Sequence, residues 1–224
     1  MTGIEENIKE LLRQLPPEVK VVAVTKTRTP AEVLHAYNAG LRVFGENRVQ
    51  ELADKKKQLP EDICWHFIGH LQTNKVRQAV ADSSVIESVD TMRLLGKIDL
   101  EAVKQGREID CLLQFYIAAE ETKSGFTLEE AESIDWKSVA DSLKATRICG
   151  VMGMGTFTGD KEKVRKEFRT LALTFNRLRE KYFRDKACFR EISMGMTGDW
   201  QIAVEEGSTM IRVGTLIFGE RINQ

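Results

Sequence analysis

Two hydrophobic patterns alternate along the chain. Short runs of consecutive apolar, largely β-branched residues give way to stretches whose apolar positions recur every three or four residues. The first pattern predicts buried strands and the second predicts helices with one buried stripe. Ile4, Ile8, Leu11, Leu12 and Leu15 form a helical face behind the capping-box sequence Thr2-Gly3-Ile4-Glu5, and Pro16-Pro17 stops it. Residues 19–24 read as the first strand. Thr29-Pro30-Ala31-Glu32 is a helix start, with a Thr cap, Pro at the first helical position and Glu three residues after the cap, and Gly40 ends that helix.

The alternation continues. Residues 41–44 form strand two, with Asn47 placed to cap a helix carrying Val49, Leu52 and Ala53. Strand three is 63–68, with a helix from about Asn74; strand four is 84–88, with a helix after Asp90; strand five is 109–117, with helical segments after Thr127. Strand six is 146–151. The clearest helix, 160–184, carries the stripe Val164, Phe168, Leu171, Phe175, Leu178 and Tyr182. Strand seven (189–192), a short helix (199–206) and strand eight (209–213) complete the series. Eight strands, each followed by helix, predict an α/β protein with a (β/α)8 TIM barrel. An open doubly wound sheet is the alternative, but no G-x-G-x-x-G follows the first strand. No linker or low-complexity segment divides the chain, so residues 1–224 are expected to form a single domain.

Composition narrows the partners. Lys plus Arg is 33 and Asp plus Glu is 34, a net charge of −1, which offers no electrostatic footprint for nucleic acid or an anionic membrane. With 42% hydrophobic and 30% charged residues the chain is an ordinary globular protein. No apolar run approaches the ~18 residues of a membrane span, and the N-terminus lacks the pattern of a secretory signal. Cys64, Cys111, Cys149 and Cys188 are too far apart in sequence for zinc spacing and sit in or beside apolar runs. A reduced, cytoplasmic protein is expected. His35, His66 and His70 form no metal signature, and Lys55-Lys56-Lys57 reads as a solvated helix face.

In a (β/α)8 barrel the chemistry lies past the C-terminal strand ends. Strand one ends in Thr25-Lys26-Thr27. A lysine at a barrel mouth is either a solvated strand end or the amine of Schiff-base chemistry. Strand two ends in Gly45-Glu46-Asn47, and His66 alternates in phase with apolar neighbours, as a core histidine would. After strands seven and eight stand Ser193-Met194-Gly195-Met196 and Arg212-Val213-Gly214-Thr215. Ser193, Gly195, Gly214 and Thr215 supply the small residues and hydroxyls of a phosphate cradle in the two loops where such barrels hold one. Period two places Arg212 with Gly214 and Lys26 with Val24. If both sets face inward, a lysine, an arginine and a phosphate cradle meet, which are the protein parts of a pyridoxal 5′-phosphate site.

These segments, with Trp65-His66-Phe67-Ile68-Gly69-His70 and Phe218-Gly219, resemble the pyridoxal phosphate homeostasis protein family, itself similar to the N-terminal barrel of alanine racemase. The resemblance covers nearly the whole chain. It implies pyridoxal 5′-phosphate held as a Schiff base on Lys26, Arg212 near the pyridine nitrogen, and the phosphate held by Ser193, Met194, Gly195, Gly214 and Thr215. Asn47 would lie near the ring and His66 close to the pocket. It implies a role in intracellular vitamin B6 homeostasis without robust turnover, with apo pyridoxal-dependent enzymes as possible recipients and a monomeric state. Lys123, in Glu120-Glu121-Thr122-Lys123-Ser124-Gly125, is a weaker cofactor-contacting candidate. Alanine racemase takes an opposing tyrosine base from a second, β-rich domain. None is expected here, where strand eight ends close to Gln224 and Tyr37, Tyr116 and Tyr182 fall in predicted barrel elements. A minimal pyridoxal-dependent racemase is the alternative, and a Schiff-base aldolase acting on a sugar phosphate is a third.

Overall fold

The computed structural model describes residues 3–118 and 124–220. Helix α1 (Gly3–Gln14) precedes β1 (Lys20–Val24), α2 (Pro30–Asn38), β2 (Val43–Glu46), α3 (Val49–Lys56) and β3 (Cys64–Phe67). A 3-10 turn (Thr73–Lys75) leads into α4 (Val76–Asp82), β4 (Val85–Val89), α5 (Met92–Gln105) and β5 (Ile109–Phe115). Two short helices, α6 (Leu128–Ser133) and α7 (Trp136–Ser142), precede β6 (Thr146–Gly153). Then follow α8 (Lys161–Tyr182), β7 (Glu191–Ser193), α9 (Trp200–Glu205), β8 (Met210–Val213) and α10 (Thr215–Phe218). The eight strands pair in chain order, all parallel, and close into a barrel through β8 on β1.

Local chemistry sets the boundaries. The Thr29 side chain accepts from the Glu32 amide, and the Glu32 carboxylate accepts in turn from the Thr29 amide, giving α2 a full capping box. Asp160 caps α8, whose stripe Val164, Phe168, Leu171, Phe175 and Leu178 is buried, with Tyr182 half-buried at its end. The shell between barrel and helices is the main core, with Trp65, Trp136, Phe44 and Phe168 among its fully buried side chains. At about 25 cal/mol per Å2 of apolar surface, each such side chain contributes roughly 2–3 kcal/mol before entropy is counted. Among the described residues no helix is long and apolar enough to cross a membrane.

Three local expectations need correction. Asn47 does not cap α3: Arg48 occupies that position, without a side-chain cap bond. Lys55 is not on a solvated face but buried, while Lys57 is exposed. Three consecutive helical residues point about 100° apart, so a charge run cannot keep all its members on one side. Leu12, placed on the apolar face of α1, is 47% exposed. Helix α10 occupies the four residues directly after Gly214. Thr2 of the first capping box and Lys123 lie outside the described residues.

Candidate functional site

At the C-terminal ends of β1 and β8 a cavity of about 320 Å3 is lined by Val24, Lys26, Arg212, Gly214 and Thr215. The 206-to-214 side of the barrel meets the 20-to-28 side here because β8 pairs directly with β1, Val22 opposite Arg212 and Ala23 opposite Val213. The β6–α8 loop contributes Thr156, Phe157 and Thr158 to the rim, and the Phe157 side chain is 98% exposed. Thr156 anchors that loop: its amide and hydroxyl both donate to the Glu167 carboxylate, at 2.7 and 2.6 Å.

Both neighbours of Lys26 are fixed. The Thr25 hydroxyl donates to Glu46 Oε1 at 2.6 Å, and the Thr25 carbonyl accepts from Lys55 Nζ at 2.6 Å. Lys55 also ion-pairs with Glu46, both of them buried. Thr27 has φ +65°, the one non-glycine residue in the left-handed region among those described, and its amide donates to Glu51 Oε2 at 2.9 Å. A side chain in that region carries backbone strain, which persists only where the surroundings over-determine it. Arg28 closes the turn against the end of α10: its guanidinium donates to the Phe218 and Gly219 carbonyls and lies 5.6 Å from the Phe218 ring centroid. The Lys26 side chain itself is half-buried.

Arg212 is anchored from within the barrel. Nη1 donates to Ser193 Oγ at 2.5 Å and Nη2 to the Gly153 carbonyl at 2.9 Å. Ser193 donates to Glu87 Oε2 at 2.6 Å, and Glu87 Oε1 lies 2.6 Å from His66 Nδ1. All four residues are buried, so these contacts form a column inside the barrel. Burial pushes the Glu87 carboxyl up, but His66, Arg212 and Ser193 together hold it below the usual carboxylate range. Burial pulls the His66 imidazolium down, and hydrogen bonds with Cys64 and Glu87 outweigh it, raising the group to about 9. Burial draws the Arg212 guanidinium down, opposed by the charges of Glu87 and Asp199.

A raised histidine makes stability depend on pH with a fixed sign. The unfolded imidazole titrates near 6.5 and the folded one near 9. Its stabilising contribution is complete below pH ~6.5, declines as pH rises and is gone above ~9. Thermal melts between pH 6.5 and 9.5 are expected to show this decline in the wild-type chain and a flatter profile in His66→Gln. Equal slopes for the two would contradict it.

The structure thus brings Lys26, Arg212, Gly214 and Thr215 to one cavity. Gly214 and Thr215 stand at the start of α10, where the leading amides have no acceptor within the helix. Ser193, Met194 and Gly195 do not line it. The Ser193 hydroxyl is committed to Glu87 and Arg212, and Met194 is fully buried. Gly195 has φ +95°, and a Cβ there would stand 2.6 Å from Ala203 Cβ, so its small size serves the packing of the β7 exit on α9. Its carbonyl accepts from the Arg212 amide. Asn47 follows β2 at the same barrel end, and its Oδ1 is buried without a hydrogen-bond partner, as an acceptor awaiting a ligand donor would be. His66 lines a different cavity, about 440 Å3, at the N-terminal strand ends with Cys64, Lys20 and Glu191.

Sequence reasoning passed over Glu87, Arg28 and the Glu46–Lys55 pair. For Glu87 there was a signal, a lone carboxylate inside the apolar run Val85-Ile86-Glu87-Ser88-Val89. Chemically, an amine, a buried guanidinium and helix-leading amides around one cavity suit a small ligand carrying both a carbonyl carbon and an anionic group.

The chain is similar to known proteins over nearly its whole length. The family described as "Alanine racemase, N-terminal domain" matches residues 1–222. A protein of Synechocystis sp. named "Pyridoxal phosphate homeostasis protein" is 39% identical over 218 residues, covering 95% of this chain and 96% of that protein. The solved structure of PipY from Synechococcus elongatus without PLP superposes with a TM-score of 0.91 at 35% identity, covering 97% of this chain and all of the other. The structure of the same protein with PLP bound gives 0.87 at 34% identity, with the same coverage.

Proposed function

This chain belongs to the alanine racemase N-terminal domain family and, within it, to the pyridoxal phosphate homeostasis proteins, and from that premise we propose that it binds pyridoxal 5′-phosphate in the cavity between Lys26 and Arg212. The observation that carries the reading is the convergence of those two side chains with Gly214 and Thr215 on one cavity of about 320 Å3, within the range of small-ligand sites. The cofactor supplies an aldehyde that condenses with a primary amine. Lys26 offers that amine, so the cofactor is held as a Schiff base on Lys26.

Arg212 faces the pyridine nitrogen. A guanidinium stays charged and only donates hydrogen bonds, so it disfavours ring protonation and makes the ring a weaker electron sink. Gly214 and Thr215 present backbone amides and a hydroxyl to the phosphate. The orphaned Asn47 Oδ1 is available to the ring substituents. Ser193, Met194, Gly195 and His66 support this set from behind. The chain acts as a carrier that buffers the cofactor and passes it to apo pyridoxal-dependent enzymes, as a monomeric, single-domain protein. Its four cysteines are free, in keeping with a reducing, cytoplasmic setting.

The test is direct. Purified protein titrated with pyridoxal 5′-phosphate is expected to develop a visible absorbance band that borohydride removes, with the reduced adduct located on Lys26 by peptide mass spectrometry. A protein that stays colourless yet turns over a sugar phosphate would overturn the reading. Interconversion of amino-acid enantiomers by the loaded protein, lost in Lys26→Ala, would replace the carrier role with a racemase.

A further inference from the structure

We propose that Glu87 is a positioning residue for the cofactor pocket, fixing the Arg212 guanidinium from inside the barrel through Ser193 and by direct ion pairing. The inference rests on the reading of Arg212 as the partner of the cofactor ring.

The interior of an eight-stranded barrel is ordinarily filled by branched apolar side chains. Leu112, Cys149 and Met152 fill part of this one in that way. Against them runs a column of four polar groups from four strands: His66 on β3, Glu87 on β4, Ser193 on β7 and Arg212 on β8. Glu87 is its centre. One carboxylate oxygen takes His66, and the other takes Ser193 at 2.6 Å and lies 3.8 Å from Arg212 Nη1. Glu87 is thereby in ion-pair contact with Arg212. Taking a carboxylate, an imidazolium and a guanidinium out of water is costly unless each is met by the others. Packing alone gives no reason to keep them there.

The upper end of the column supplies the reason. Arg212 is the member that lines the cavity. A guanidinium has five N–H donors in a rigid fork. Ser193 and the Gly153 carbonyl take one each from below, which sets the plane of the fork and leaves donors for the cavity. Without the carboxylate, Ser193 loses its acceptor, Arg212 loses its counter-charge, and a long side chain regains rotamer freedom. The charged groups facing Glu87 are His66 and Arg212; Cys64 lies beyond the first and Asp199 beyond the second.

The experiment compares wild type with Glu87→Gln and the double variant His66→Gln/Glu87→Gln. The double variant removes both charges of the lower pair, so that a fold lost to an uncompensated imidazolium is not mistaken for a lost anchor. Three quantities are read: pyridoxal 5′-phosphate affinity, the pH dependence of the bound cofactor's visible band, and the Arg212 Nε–H resonance of the apoprotein by NMR. Both variants are expected to bind the cofactor about tenfold more weakly and to shift the band's pH profile. A slowly exchanging Arg212 resonance is expected in the wild type and its loss is expected in both variants. Glu87→Asp, which keeps the charge, is expected to recover part of the affinity. If the folded variants keep wild-type affinity, pH profile and Arg212 resonance, and differ only in melting temperature, Glu87 is structural and the proposal is wrong. If the wild type binds no cofactor, the reading of the pocket fails instead, while the apoprotein resonance still decides whether Glu87 holds Arg212.

Discussion

Lys26→Ala is expected to abolish covalent capture of pyridoxal 5′-phosphate while leaving the barrel as stable as before. The Lys26 side chain is half-buried, and among the described residues its amine makes no hydrogen bond or ion pair. The turn that carries it is held by other groups: the Thr25 hydroxyl and carbonyl, the Thr27 amide, and Arg28 against α10. Truncating the side chain removes none of these. The change in stability should stay within about 0.5 kcal/mol, as for substitutions that break no buried contact. The adduct, by contrast, should disappear altogether, because among the described residues no other lysine lines the cavity. Borohydride reduction followed by mass spectrometry measures the first effect and calorimetry the second. Full labelling of another lysine in the variant would show that the covalent site is elsewhere. A melting temperature many degrees below wild type would show that the lysine is part of the core.

Lys55→Ala should have the opposite profile, a large loss of stability from a residue that does not line the cavity. Lys55 and Glu46 are buried together beside Thr25, and Glu46 is fully inaccessible. Removing the ammonium strands a carboxylate in the interior and leaves the Thr25 carbonyl without one of its donors. Breaking a buried pair from one side costs about 3–5 kcal/mol, which in a chain of this size lowers Tm by roughly 10 °C. Replacing both partners by apolar residues of similar volume should be milder than the single change, since no charge is then left unpaired. Lys57→Ala serves as the control. Lys57 pairs with Asp54 across a largely exposed helix face, and such pairs contribute between about 0 and 1 kcal/mol. A Lys55→Ala melting curve that overlays that of Lys57→Ala would mean that the buried pair carries no stability.

That contrast within one run of three lysines shows where sequence reading stops. The alternation of apolar runs and amphipathic stretches was enough for eight strands in order and for the barrel, because each strand lies in or beside a short apolar run and the longer helices show a stripe. Capping chemistry was legible where the cap is local, as at Thr29. Asn47 was misassigned because Asn, as a residue type, is as good a cap as it is a ligand-facing amide, and only the position of Arg48 separates the two. Lys55 was misread because its partner Glu46 belongs to another element. Lys26, Arg212, Gly214 and Thr215 were legible as a set because closure of β8 on β1 follows from the strand count. Ser193 belonged in the neighbourhood, yet its hydroxyl faces Glu87 across the barrel, a contact between residues 106 positions apart that no local pattern encodes. Gly195 reads as part of a phosphate loop, and a second requirement for its small size, the approach of Ala203 behind it, was not legible.

The seam between the first and last strands has a further consequence for how the protein is made. Every group proposed to touch the cofactor's two ends is split across that seam, with the amine emerging early in synthesis and the guanidinium at the very end. Contacts of such long range form late, after most of the entropy of ordering the chain has been lost. A nascent or C-terminally truncated chain therefore has no place to retain the vitamin, and the ligand stabilises only the finished cylinder. The yellow colour of the loaded protein would then report completed folding as faithfully as it reports binding.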